Sequence, residues 1–270
     1  MKKDFAKQYG NLEQWHWWFR GRRRIMESIL HHELGTQADS RRILSVGCGP
    51  AEGLKWLIPF AGQSGKVFGL DIEPLHANGL EATSGFVVGS LGEAPLKDGS
   101  FDVVLALDVL EHMDDDHNSL LEGARLVRPG GLLLITVPAL PSLWGGQDVV
   151  SEHRRRYTRR SLKQLFNGAG ISGYRINYFN TFLFPLAAGV RLSRRALGKG
   201  NRPRSDFDDN QPGLVNEVLA SLFGAESWLV NRASFPLGVS LVATYRPPRQ
   251  NATSQTLSDR HKVDLYAQAS

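Results

Sequence analysis

Apolar and polar residues alternate along the middle of the chain in a pattern that predicts strands followed by helices. Five strands are predicted at short apolar runs, 43–46, 66–71, 86–89, 101–107 and 132–137. Helix signals lie between some of them, at 52–60, 74–80 and 118–127. Repeated strand–helix units of this length predict a Rossmann-like α/β fold, in which a doubly wound parallel sheet has right-handed crossovers.

The turn after the first predicted strand is rich in glycine. The apolar run ends at Gly47 and Gly49, and a helix-like stretch follows at once. Such a turn presents backbone N–H groups at a helix start, and a side chain there would block a ligand. Asp71 ends the second predicted strand, 22 residues after Gly49, where a carboxylate can accept both hydroxyls of a ribose. A helix cap is the alternative role for Asp71.

Composition limits the classes of protein that fit. The chain has 270 residues, of which 41% are hydrophobic and 22% charged, and this is typical of a soluble globular protein. Cys48 is the single cysteine, so an internal disulfide and a multi-cysteine zinc site are excluded. With no secretory signal visible, we expect a cytoplasmic location. The net charge of +5 is dispersed, and we expect no nucleic-acid partner.

Acidic residues and a histidine follow the fourth predicted strand. They are Asp108, Glu111, His112 and the run 114–116. Although such a set could bind a metal ion, acidic residues are common at the start of a helix. We therefore expect no metal site.

Four phrases follow one another in order: ILSVGCG, GLDIEP, GSFDVVLALDVLEHMDD, and LVRPGG with LLLITVP. Over residues 41–170 their order and spacing resemble the class I S-adenosylmethionine-dependent methyltransferases. Within that class the chain is similar to the methyltransferase type 11 branch that contains the ubiquinone-pathway O-methyltransferases. The resemblance implies S-adenosyl-L-methionine as the cofactor and a seven-stranded sheet whose last strand is antiparallel.

The resemblance also implies roles for single residues. Arg24 would meet the methionine carboxylate, and Gly47 and Gly49 would line the methionine part. Asp71 would bind the ribose, and Ser90 the adenine. The full set of cofactor-binding residues that it implies is Arg24, Gly47, Cys48, Gly49, Asp71, Ile72, Ser90, Leu91, Leu107 and Asp108.

The chain departs from the family pattern at three positions. Ser45 and Ser90 stand where acids are usual, and Ala51 replaces a frequent glycine. A hydroxyl can hydrogen-bond, but it carries no charge, so cofactor binding would be weaker. Two alternatives therefore stay open: a non-catalytic partner subunit with a methyltransferase fold, and a nicotinamide-dependent oxidoreductase. Glu52 stands where a dinucleotide-binding fingerprint would have glycine, and this argues against the oxidoreductase.

The ends of the chain differ in composition from the middle. Residues 1–40, which include WHWWFRGRRR, predict a helical arm that either packs on the domain or forms a lid over the cofactor; we favour the lid. The methyltransferase domain is expected at 41–246. A polar, disordered tail is expected at 247–270.

The loop after the fifth predicted strand contains His153 among several arginines. It resembles a stretch that borders the acceptor site in the family, where a histidine could remove a proton from an attacking hydroxyl. An orienting role in the loop is an equal alternative. We expect methyl transfer to a small-molecule, lipid or glycan-type acceptor, with oxygen favoured.

The segment between the last two predicted strands, 172–179 and 238–245, is too long for a plain connection. We expect a helical insertion at 180–235. Its first part, 181–199, is an apolar run that turns basic, so it either caps the domain or contacts an anionic membrane surface at the inner face of the membrane.

Overall fold

The computed structural model describes residues 12–35, 39–74, 84–198, 202–203, 205–207 and 211–249. Its strands are β1 (Arg42–Val46), β2 (Lys66–Asp71), β3 (Ser84–Val88), β4 (Phe101–Leu107), β5 (Val127–Pro138), β6 (Arg175–Phe179) and β7 (Ser240–Tyr245). Its helices are α1 (Trp17–Leu34), α2 (Ile58–Ala61), α3 (Asp116–Leu126), α4 (Gly146–Val150), α5 (Arg159–Gly168), α6 (Phe184–Ala196) and α7 (Leu214–Ala225). Among the described residues, no helix is long and apolar enough to cross a membrane.

The strands form one sheet in the order β3-β2-β1-β4-β5-β7-β6. Strands β1 to β5 are parallel, whereas β7 is antiparallel to both of its neighbours, β5 and β6. The predicted fold class, including the antiparallel last strand, is confirmed. The strand order reverses between β1 and β4, and ligands of doubly wound sheets bind beside the carboxyl ends of the strands at such a point.

Both faces of the sheet are covered by apolar side chains. One face packs against α3 and α5, through residues such as Leu120 and Phe166. The other packs against α1 and α7, through Ile25, Leu30 and Phe223. These five side chains are all essentially fully buried, and each contributes about 1.5–3 kcal/mol of hydrophobic stabilisation. The arm helix α1 therefore shares the core of the sheet.

Local structure differs from the sequence prediction at two places. The helix expected at 52–60 is a 3-10 helix, Ala51–Leu57, followed by the single turn of α2, in which Pro59 has no N–H to donate to a preceding carbonyl. The fifth strand, expected at 132–137, is longer: β5 starts at Val127 and has an irregular register against β4. The helix expected at 74–80 and most of the expected tail lie outside the described residues.

Candidate functional site

A large cavity opens beside the carboxyl ends of β1, β2 and β4, where the strand order reverses. Its volume is about 920 Å³, which is at the upper end of ligand pockets and leaves room for more than one small molecule. Of the residues predicted from the sequence, the cavity is lined by Gly47, Cys48, Gly49, Asp71, Ile72, Ser90, Leu91, Leu107, Asp108 and His153.

The glycine turn holds the backbone close to this cavity. Gly47 and Gly49 have φ angles of 58° and 63°, in the left-handed region that favours glycine. A Cβ added at Gly47 would lie 2.9 Å from the Val109 side chain, whereas one added at Gly49 would meet no atom within 4 Å. Gly49 therefore leaves open space on its cavity side. The turn is tied to the neighbouring strand by the bond from Gly47 N–H to the Leu70 carbonyl (2.8 Å).

Asp71 is fixed at the end of β2 by the backbone. Its Oδ2 accepts a hydrogen bond from Gly49 N–H (2.9 Å), and its Oδ1 accepts one from Glu73 N–H (3.0 Å). Because a carboxylate oxygen can accept more than one hydrogen bond, this geometry is compatible with ribose hydroxyls binding to the same group. Cys48 next to the turn is a neutral thiol, since burial first, and then the charge of Asp71, raises its pKa to about 12.

The arginine of α1 that reaches the cavity is Arg22. Its guanidinium forms an ion pair with Asp108 (2.7 Å) at the end of β4 and lies 4.9 Å from the centre of the Trp18 ring. The structure does not bring Arg24, the arginine expected at the methionine carboxylate, to the cavity. Arg24 does not line the cavity, and its Cδ lies 2.8 Å from where a Cβ on Gly224 would be.

Asp108 adopts a left-handed backbone conformation, with φ of 57°. Thr136 on β5 holds it there: its carbonyl accepts from Asp108 N–H (3.0 Å), and its hydroxyl donates to Asp108 Oδ1 (3.0 Å). Strain of this kind persists only where the surroundings fix it. The end of β4, the neighbouring strand β5 and helix α1 thus meet at Asp108.

His153 lies on the cavity wall after α4, with Asp148 behind it. The carboxylate of Asp148 is fully buried and lies 2.9 Å from His153 Nδ1. Burial alone would raise the pKa of Asp148, but the hydrogen bond from His153 and the charge of Arg156 outweigh it and hold that pKa well below its usual range. An ionised Asp148 accepts hydrogen bonds only, so the neutral imidazole carries its proton on Nδ1. Nε2 is then the basic nitrogen.

Asp148 also joins the loop to the helical insertion. Its Oδ1 accepts a hydrogen bond from Arg156 (2.7 Å), and its Oδ2 accepts one from Gly145 N–H (2.7 Å). Arg191 of α6 is 3.3 Å from the same Oδ2 and also donates to Asp206 (2.5 Å). The sequence pattern did not point to this network, in which Arg191 and Asp206 lie far from Asp148 in the chain.

Glu111 and His112 lie beside His153. Glu111 is fully buried, and burial first, then the charge of Asp108, raises its pKa well above the usual range. Its Oε1 is 3.9 Å from His153 Nε2. The ring of His112 is 4.8 Å from that of His153, and burial lowers its pKa to about 4.

These three side chains bring together atoms that can bind a cation. One ligand atom from each of Glu111, His112 and His153 lies within 4.8 Å of the others. The sequence led us to expect no metal here, and that expectation stays a prediction, which chelation tests.

One wall of the cavity is mostly apolar, although Arg191, Arg194 and Asp206 from the same segments also line the cavity. It is formed by helices α6 and α7 and the short stretch before α7, through Leu183, Leu186, Ala187, Val190, Phe207, Val215 and Leu219. Several of these side chains also reach solvent: Leu186 is 57% exposed and Val215 67%. These apolar side chains therefore contact both the cavity and the solvent.

The arginines of α6 have partners within the chain. Arg191 and Arg194 both form ion pairs with Asp206, and Arg195 donates to the Trp144 carbonyl (3.3 Å). The sequence-based argument for membrane contact relied on these charges. Their engagement by other residues of this chain weakens that argument.

Comparisons with known proteins agree with one another. The model of a methyltransferase domain family matches residues 17–173. A probable S-adenosylmethionine-dependent methyltransferase of Mycolicibacterium smegmatis is 29% identical over 164 residues, which are 59% of this chain and 61% of that protein. A probable chloroplastic tocopherol O-methyltransferase of Oryza sativa subsp. japonica is 31% identical over 124 residues, 42% of this chain and 34% of that protein. The chain thus spans about three fifths of the first relative's length.

A solved structure of similar fold covers more of the chain. It is a SAM-dependent methyltransferase from Archaeoglobus fulgidus, with a TM-score of 0.52 and 19% identity over 88% of this chain and 99% of that chain. At this identity the likeness concerns the fold.

Proposed function

Because the chain belongs to the class I S-adenosylmethionine-dependent methyltransferases, we propose that it transfers the methyl group of that cofactor to a hydroxyl oxygen of a partly apolar acceptor. The acceptor is a small molecule or a lipid- or glycan-type compound. The O-methyltransferase name of the rice relative supports oxygen as the methylated atom.

The observation that carries this proposal is the pair formed by His153 and Asp148. The sulfonium of the cofactor is already a strong electrophile, so the protein has to orient the nucleophile, exclude water and remove one proton. The bound cofactor would supply the methyl group, with its sulfur as the leaving group when the acceptor oxygen bonds to the methyl carbon. The hydroxyl proton would pass to His153 Nε2, and the ionised Asp148 (2.9 Å from Nδ1) would stabilise the imidazolium.

Cofactor and acceptor would occupy different parts of the cavity. The cofactor would lie along the glycine turn, with its ribose on Asp71 and its methionine end near Arg22. The acceptor would lie between His153 and the apolar wall of α6 and α7. That wall suits a ligand whose polar head carries the hydroxyl and whose remainder is apolar.

Calorimetric titration with S-adenosylmethionine and, separately, with nicotinamide cofactors tests the class of ligand. A tritiated-methyl transfer assay with hydroxylated acceptors, including hexylresorcinol, tests the reaction. Cofactor binding without transfer to any acceptor would favour a non-catalytic subunit, and binding of a nicotinamide cofactor alone would favour an oxidoreductase.

The role of His153 has its own test. His153→Ala should lower turnover by about 10²- to 10⁴-fold, the usual loss when a general base is removed, while cofactor affinity stays the same. His32→Ala, which changes an exposed histidine of α1, is the matched control. An equal fall in cofactor affinity would make His153 structural, and unchanged turnover would favour an acceptor that needs no base.

A further inference from the structure

Glu13 belongs to the N-terminal arm, ahead of α1, and it lies against the glycine turn. A Cβ added at Gly53, just after that turn, would lie 3.1 Å from Glu13 Oε2 and 3.6 Å from Oε1. The charge of Glu13 is also one of the causes, after burial and the charge of Asp71, that raise the pKa of Cys48 in the turn. The arm therefore brings a carboxylate to the turn along which the cofactor would lie.

This carboxylate is accessible from the cavity. Glu13 is half-buried and is one of the residues that line the cavity. Neither of its oxygens is among the enclosed polar side-chain atoms that lack a partner in the described chain. Among the described residues none donates a hydrogen bond to Glu13, although the charges of Arg22 and Arg23 act on it. A ligand in the cavity can therefore reach a carboxylate oxygen that no described residue occupies.

A carboxylate in this position favours a cationic group on the ligand. Burial raises the pKa of Glu13, and the charges of Arg22 and Arg23 oppose that rise. A positive group bound in the cavity would act in the same direction as the two arginines, and it would offset the free energy that burial of the ionised carboxylate costs. Ser45, near the end of β1, lines the same cavity but has no charge with which to attract such a group.

Arg22 supplies the opposite charge on the same side of the cavity. It lines the cavity together with Glu13, and both side chains also line a second, small cavity of about 40 Å³. The ion pair of Arg22 is with Asp108, at the end of β4. The amino-acid end of S-adenosylmethionine carries one group of each charge, an α-carboxylate and an α-ammonium, and the ammonium has three N–H donors. The charges of the arm are therefore complementary to that end of the cofactor.

We propose that Glu13 is a cofactor-binding residue, whose carboxylate accepts a hydrogen bond from the α-ammonium group of S-adenosylmethionine. The proposal rests on the proposed methyl transfer and adds a carboxylate of the arm to the cofactor site. In the competing explanation, Glu13 only holds Arg22 and Arg23 in place by its charge. The two explanations differ in whether the effect of Glu13 depends on the α-amino group of the ligand.

The experiment measures binding of two ligands to the full chain by calorimetry. One ligand is S-adenosylhomocysteine, and the other is its deamino analogue, in which hydrogen replaces the α-amino group while the carboxylate is kept. Glu13→Gln removes the charge and keeps the shape of the side chain. Glu27→Gln, which changes a glutamate of α1 that does not line the cavity, is the matched control. Because the two ligands are compared within each variant, a smaller folded fraction does not affect the comparison.

We expect Glu13→Gln to bind S-adenosylhomocysteine about 10- to 100-fold more weakly than wild type, because a charge-assisted hydrogen bond is lost. Its affinity for the deamino analogue should equal that of wild type, and Glu27→Gln should match wild type with both ligands. An equal loss of both ligands in Glu13→Gln, or no loss of either, would overturn the role of Glu13 and leave the methyltransferase function standing. Wild type that bound both ligands equally well would also overturn it. Absence of S-adenosylhomocysteine binding by wild type would instead count against the proposed function.

Discussion

Mild acid should destabilise this protein through His16. In the folded chain burial lowers its pKa from 6.5 to about 4. Between pH 6.5 and pH 4 the histidine binds a proton in the unfolded chain but not in the folded chain. The contribution of His16 to the free energy of unfolding is therefore fully present above pH 6.5 and decreases as the pH falls towards 4. The His16 side chain is fully buried.

The size of the effect follows from the two pKa values. Between pH 7 and pH 5, linkage predicts that His16 alone removes about 2 kcal/mol from the free energy of unfolding. His112, whose pKa burial also lowers to about 4, acts with the same sign. Comparing wild type with His16→Asn isolates the contribution of His16, since His112 is present in both proteins.

Urea denaturation followed by far-ultraviolet circular dichroism, at pH 7 and at pH 5, measures this loss. Between pH 7 and pH 5 the free energy of unfolding should fall by about 2 kcal/mol less in His16→Asn than in wild type. His32→Asn, a change at an exposed position of the same helix, should keep the wild-type difference. Equal losses in wild type and His16→Asn would refute the argument that His16 is buried and neutral in the folded chain.

Three further predictions concern the site. Asp71→Ala should weaken S-adenosylmethionine binding by about 1–3 kcal/mol in calorimetry, and an unchanged dissociation constant would remove Asp71 from the ribose site. Arg191→Met should lower the free energy of unfolding in urea by about 1–3 kcal/mol, because a charge-assisted contact to buried Asp148 is lost, whereas Arg195→Met should not. Treatment with a chelator should leave methyl transfer unchanged; a loss that zinc restores would show that Glu111 and its neighbours bind a metal ion.

The cavity lining shared by most of the predicted cofactor-binding residues could be anticipated, because several of them stand at strand ends. Once the alternation of strands and helices is recognised, the topology brings Gly49 and Asp71 to one edge of the sheet. Helix geometry explains why Arg24 does not line the cavity. Residues that are two positions apart in an α-helix point in directions about 200° apart around its axis, so Arg22 and Arg24 face opposite sides. Because the sequence has arginine at several neighbouring positions of this helix, it does not indicate which arginine side chain faces the cavity.

The surroundings of His153 were less predictable, because part of their contacts join distant segments of the chain. Asp148 is recognisable only once the loop folds and places it behind His153. The apolar-to-basic pattern of 181–199 predicted a surface helix, but it carried no sign that Asp206 would pair with Arg191 and Arg194. Such pairings depend on tertiary structure, and local spacing does not encode them.

The position of β7 has a consequence for synthesis of the chain. β7 is the last of the described strands in sequence, yet it lies between β5 and β6 in the sheet. About a hundred residues separate the end of β5 at Pro138 from the end of β7 at Tyr245, and translation at about 5–20 residues per second takes roughly 5–20 s to cover them. During that interval the edge of β5 that β7 will cover is open on the nascent chain, and open edges template aggregation. We therefore expect ribosome-bound intermediates to recruit chaperones until β7 emerges.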